Sequence, residues 1–118
     1  MEKGRIRKIA AAWLSAQENL WSHHEIGRLI EKDPLDAWRV IESIISRTED
    51  EETLKMIGVG PIEDLLSERG SDVIAEVERY ARAEPKLLVC LAAAWKSTST
   101  DEVWGRVQKL LRRAGYAA

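Results

Sequence analysis

The sequence predicts an all-α fold, a compact bundle of about seven or eight short helices stacked as antiparallel pairs. Three observations lead there. Apolar residues recur at three- and four-residue spacing along most of the chain. No stretch alternates with period two, and no Asn-Gly type of hairpin turn occurs. The three prolines, Pro34, Pro61 and Pro85, each stand where a helical pattern begins, the position at which a missing N–H costs least.

The first helix is expected over about Glu2 to Leu20, with Ile6, Ile9, Ala10, Trp13, Leu14 and Leu20 on one face. Ser22 and Glu25 have capping-box spacing, and Trp21 and Ile26 the spacing of a hydrophobic staple, so a second helix is expected to start at Ser22 and run to Lys32. Asp33-Pro34 restarts the chain as cap and first helical residue, and Ala37, Trp38, Ile41, Ile44 and Ile45 supply the buried face. Thr48 and Glu51 offer a second capping box ahead of a short helix holding Leu54, Met56 and Ile57. Gly58 then reads as the residue that ends it, with Pro61 opening a helix that carries Ile62, Leu65 and Leu66 and stops at Gly70. Ser71 caps a helix burying Val73, Ile74, Val77, Tyr80 and Ala81, and Glu84-Pro85 repeats the earlier restart. Leu87 to Trp95 is apolar nearly all round, as a central helix would be. Ser99 and Glu102 offer a third box before Val103, Trp104, Val107, Leu110 and Leu111, ending near Gly115. The stretches Ile9–Leu14 and Leu91–Lys96 resemble each other, which suits a degenerate HEAT-like repeat, although their spacing lacks a fixed period.

A chain of 118 residues with 45% apolar and 32% charged residues suits a single helical domain over 1–118. No apolar run approaches the ~20 residues of a membrane span, and Met1–Arg7 leads into no secretory core. One cysteine allows no internal disulfide and fits a reducing cytoplasm. Charge is uneven: residues 1–41 sum to +1, 42–84 to −7 and 85–118 to +4. So acidic a middle argues against general nucleic-acid binding, which needs a dense basic face. Of the five tryptophans, Trp13, Trp38, Trp95 and Trp104 lie in apolar stripes and are expected to fill core, each buried indole needing a partner for its N–H.

The candidate chemistry is thin. His23 and His24 are adjacent, so on a helix they point about 100° apart and cannot share a metal as an i, i+4 pair would. Cys90 sits in an apolar run that raises a thiol pKa, with no histidine near in sequence to act as base. Gly58-Val59-Gly60 lacks the Lys-Ser/Thr of a phosphate loop, and Pro61 removes an amide such a loop would use. Glu63 and Asp64 are neighbours that diverge on a helix, better suited to its positive end than to paired acid–base work. No catalytic residue, cofactor or metal site is identified. The candidate partner-binding residues are Glu49, Asp50, Glu51, Glu52, Glu63 and Asp64, an acidic set that would attract a basic partner.

Taken together, Asp33-Pro34-x-x-Ala37-Trp38, Gly58-Val-Gly-Pro-Ile-Glu-Asp-Leu-Leu66, Leu91-x-x-x-Trp95 and Val103-Trp104-x-Arg106-Val107 resemble a family of small bacterial proteins known as domain of unknown function 6869. The Gly-x-Gly-Pro-x-Glu-Asp-Leu-Leu core is the most specific part, and the likeness spans about residues 20–112. It implies a bacterial, mostly helical protein and brings no activity, cofactor or catalytic residue. The family pattern favours a small residue such as Ala where this chain has Val59.

Two functional expectations follow. The first is a cytoplasmic protein-interaction module, adaptor- or immunity-like, that meets another protein, basic in complement, through an acidic surface; the immunity comparison is one of surface character alone. The second is a small-ligand binder or enzyme with an interhelical pocket near Gly58–Asp64, walled by Trp38 or Trp95 and anchored by Glu63 or Asp64. Nucleic-acid binding through Arg5, Arg7, Lys8 and Arg106–Arg113 would need both ends of the chain to form one basic face.

Overall fold

A computed structural model describes residues 1–116. It contains α1 (Lys3–Trp13), α2 (Asn19–Lys32), α3 (Pro34–Ser46), α4 (Glu51–Ile57), a π turn (Gly58–Ile62), α5 (Glu63–Ala83), α6 (Lys86–Ala93) and α7 (Asp101–Arg113). The fold is all-helical as expected, but α4, the π turn and α5 follow one another with only kinks between them, at Gly60 (φ −104°, ψ −106°) and at Arg69, so the described residues form six helical stretches where seven or eight separate helices were expected.

The chain leaves helical geometry at Gly60 and not at Gly58. Gly58 does not end a helix; its backbone stays right-handed helical (φ −64°, ψ −49°). A Cβ at Gly58 would lie 1.9 Å from the carbonyl oxygen of Cys90, so the glycine is there to let the π turn close on α6. Gly70 likewise does not stop α5. A Cβ there would come within 2.8 Å of Val103 Cγ1, so this glycine admits α7. The helix instead kinks at Arg69 (φ −137°, ψ 28°). The Arg69 guanidinium reaches back to α2, donating to the carbonyl oxygens of Ile30 (3.2 Å) and Glu31 (2.8 Å) that the helix end leaves without amide partners.

The cap at Asp33-Pro34 forms as expected, with Asp33 Oδ1 accepting from the Asp36 amide at 3.2 Å. The three capping boxes do not. Helix α2 begins three residues before Ser22, whose hydroxyl donates to the Ile9 carbonyl at 2.8 Å, and Glu25 pairs with Arg5 (2.7 Å) and Arg28 (3.1 Å). The cap of α4 is Asp50 and not Thr48, and that of α7 is Thr100 and not Ser99. Helix α1 ends at Trp13, short of Leu20, because the Asn19 side-chain amide takes the Trp13 carbonyl and the Ser15 hydroxyl takes the amides of Gln17 and Glu18. A turn bound by its own side chains replaces the last turns of the expected helix.

Helix α3 is central. Ala37, Trp38, Val40, Ile41, Ile44 and Ile45 are all buried on it, each large side chain stabilising by roughly 1.5–3 kcal/mol. Helices α1, α2 and α3 pack on one another, α3 continues onto α5, α4 lies on α6, and α7 closes over α5 and α6. The pairing changes from helix to helix, so the chain is not a HEAT-like array. Buried residues form one continuous cluster, and the Cα radius of gyration of 13.2 Å is near the ~13.5 Å expected for this length.

Three tryptophans depart from expectation. Trp38 is buried against an edge-on Tyr80 ring at 6.0 Å, but its indole N–H finds no acceptor among the described residues. Trp95 is 73% exposed. Helix α6 stops at Ala93, and the extended backbone of Ala94 (ψ 151°) carries Trp95 out of the stripe that Leu87 and Leu91 keep buried. Trp104 is only partly buried, at the edge of the core.

Candidate functional site

The acidic residues singled out from the sequence prove to have separate duties. Asp50 Oδ2 accepts from the Thr53 hydroxyl (2.7 Å) and amide (3.0 Å), and these bonds hold its carboxyl below the usual range. Glu49 meets Lys86 Nζ at 3.1 Å, while Glu51 and Glu52 flank Lys55 Nζ at 3.6 and 3.5 Å. These four form an exposed ridge over the first turn of α4. The pairs to Lys55 are solvent-bathed and therefore weak, whereas Lys86 is half-buried and also donates to the Thr48 carbonyl.

Glu63 and Asp64 diverge, as neighbours on a helix must. Glu63 Oε1 accepts the Trp95 amide at 2.9 Å and so tethers the segment after α6. Asp64 points the other way, towards α2, and is exposed overall, its carboxyl only partly shielded from water. Burial raises its carboxyl pKa, the adjacent Glu63 raises it further, and His23 draws it back down.

What Asp64 faces is a nook of about 70 Å³ lined by Trp13, His23, Ile26, Gly27, Ile30, Gly60, Pro61 and Asp64. Two of its walls lack a side chain. A Cβ built on Gly27 or Gly60 would meet nothing within 4 Å, so packing requires neither glycine. The nook shares Trp13, His23 and Gly60 with a wider groove of about 530 Å³, which adds Leu14, Ser15, Ala16, Asn19, Thr53, Met56 and Val59. Trp13 and His23 form the common wall, their rings stacked 3° from parallel with centroids 5.7 Å apart. The pocket near Gly58–Asp64 therefore exists, but its expected walls are wrong: Trp38 is sealed in the core, Trp95 is absent from the lining, and Trp13 takes their place.

Helical spacing joins this groove to the acidic ridge. Glu52 lies one turn before Met56, and Asp50, the cap of α4, bonds Thr53. The groove thus adjoins the carboxylate ridge through Thr53 and Met56, and the Asp64 nook through Trp13, His23 and Gly60. None of its lining residues is Lys or Arg. Leu14, Met56 and Val59 stand on it as large apolar side chains left in water.

The other chemistry-bearing residues lie elsewhere. Burial pushes the Cys90 thiol up to about 12, which leaves it protonated and unsuited to attack. No group of three His, Cys, Asp or Glu side chains placed to hold a metal occurs among the described residues. The basic ends lie on helices with different neighbours: α1 packs on α2 and α3, whereas α7 packs on α5 and α6. On α1, Arg5 and Lys8 instead sit 5.2 and 5.8 Å from the Trp21 ring, and on α7 Arg106 forks onto Glu78. No helix among the described residues is long and apolar enough to cross a membrane.

Comparison with known proteins adds a family. The model of a family of unknown function, DUF6869, matches residues 11–115, a wider span than the quoted motifs cover. No curated protein and no solved structure matches the chain.

Proposed function

Since the chain belongs to DUF6869, a family that carries no assigned activity, we propose that it is a protein-interaction module, adaptor- or immunity-like, working in the bacterial cytosol. Its recognition face is the groove between the α1–α2 turn and the π turn, together with the acidic ridge Glu49–Glu52. One observation carries this reading: Leu14, Met56 and Val59 stand exposed around a single concave surface of about 530 Å³. Contiguous apolar side chains kept in water and rimmed by polar groups mark a surface that another molecule covers. The ridge carboxylates supply long-range attraction for a basic partner, and the exposed Lys55 is easily displaced from Glu51 and Glu52. The test is a photo-crosslinking residue placed at Met56, compared with one at Leu35 on α3. A discrete adduct from Met56 alone supports the reading; equal or absent adducts from both refute it.

The groove volume also favours a second reading, a small-ligand site, since it falls within the ~300–1,000 Å³ typical of such pockets. Trp13 is the apolar wall and Asp64 the polar anchor in that case. A small molecule that raises the melting temperature of the wild type but not of Val59→Asp would establish it.

A further inference from the structure

We propose that the nook beneath Asp64 receives the cationic head of an Arg or Lys side chain from a partner polypeptide, whose neighbouring aliphatic side chain lies along Leu14, Met56 and Val59. This rests on the interaction reading above and names the chemistry of the partner segment.

Size is the first reason. A nook of about 70 Å³ holds a few waters or the end of one long side chain, and a whole aromatic ring with its flanking backbone would not enter. Charge is the second. Asp64 is the one carboxylate in the lining, and Glu63 stands next to it in sequence. An anion would be repelled, and a purely apolar occupant would strip water from Asp64 without giving it a partner, which is costly. The third reason is the stacked Trp13–His23 wall, which presents aromatic surface to a cation, a contact that strengthens as water is excluded. The buried Ile26, Ile30 and Pro61 form the nook's apolar floor, and the exposed His23, Gly27 and Asp64 its rim. Finally, nook and groove share Trp13, His23 and Gly60, so one short segment spans both.

The experiment selects a displayed random-peptide library on the full chain and sorts the binders by whether Val59→Asp removes them. Groove-dependent binders are expected to carry Arg or Lys beside Leu, Ile, Val or Met. A synthetic binder should lose about tenfold in affinity when its Arg is exchanged for neutral citrulline, and again on Asp64→Asn, but not on Glu102→Gln, which lies on α7. Groove-dependent binders without a cation, or binders indifferent to Asp64→Asn, overturn the inference while leaving the groove as an interaction site. Selection that yields no groove-dependent binder overturns the interaction reading itself. Full competition by free arginine amide at the same concentration as the peptide, or self-association abolished by Val59→Asp, assigns the nook to a small cation or to a second copy and also overturns the inference.

Discussion

Gly27 stands in the interior of α2, where glycine costs roughly 0.8–1 kcal/mol relative to alanine. Nothing in the packing requires it, because a Cβ there meets no atom within 4 Å. Gly27→Ala should therefore stabilise the fold by about 1 kcal/mol, which at this length raises the melting temperature by roughly 3–6 °C. The new methyl group, however, is added to a residue that lines the 70 Å³ nook, and binding of a groove-dependent cationic peptide should weaken. Gly105→Ala is the matched control: this glycine lies inside α7, also with open space at its Cβ, and does not line the groove. Urea titration followed by tryptophan emission gives the stabilities, and fluorescence anisotropy of labelled peptide gives the affinities. The expected pattern is two stabilised variants of which only Gly27→Ala binds poorly. Stabilisation of Gly27→Ala with unchanged affinity would show that no side chain fills the nook. Destabilisation would show that the space is closed.

Other outcomes follow from the same geometry. Gly58→Ala should destabilise by about 2–4 kcal/mol in urea titration, because the methyl group would meet the Cys90 carbonyl, a backbone atom that cannot rotate aside. Trp95→Ala should change stability by less than ~0.5 kcal/mol and remove the most acrylamide-accessible emission, since this indole is 73% exposed. Arg106 holds the Glu78 carboxyl below its usual range, so that pair's stabilisation is complete above the unfolded Glu pKa of ~4.3 and disappears as pH falls through the depressed folded value. Glu78→Gln should therefore be less stable than wild type at neutral pH and converge with it in strong acid. Glu42 runs the opposite way: burial, then repulsion from Glu76, raises its pKa, so its ionisation opposes folding. Glu42→Gln should be more stable than wild type at neutral pH, the gap closing on acidification through the carboxylate range.

The fold was legible where a local signal had no competitor. Asp33-Pro34 combines a cap with a first-turn proline, and no distant group intervenes. Ser22-x-x-Glu25 has equally good spacing, yet both side chains are taken by partners on α1, the Ile9 carbonyl and Arg5, which no local pattern contains. Gly58 and Gly70 read as breaks because glycine ends helices in isolation; here each is the thin spot that lets another helix approach. Trp95 fits the apolar stripe of Leu87 and Leu91, and only the helix end at Ala93 turns it outward. Of the site, Asp64 and the glycine turn were visible as a motif. The Trp13–His23 stack was not, because it depends on the angle at which the Asn19-bound turn folds α2 back on α1.

The most direct measurement is a two-dimensional amide and indole spectrum of ¹⁵N-labelled protein titrated with an Arg-containing groove-dependent peptide. Shifts confined to residues 13–27 and 53–64, with the Trp13 indole N–H among the largest, are the predicted result. Shifts centred on α7, or on the Arg5–Lys8–Trp21 surface, with the Trp13 signal unmoved, would contradict it.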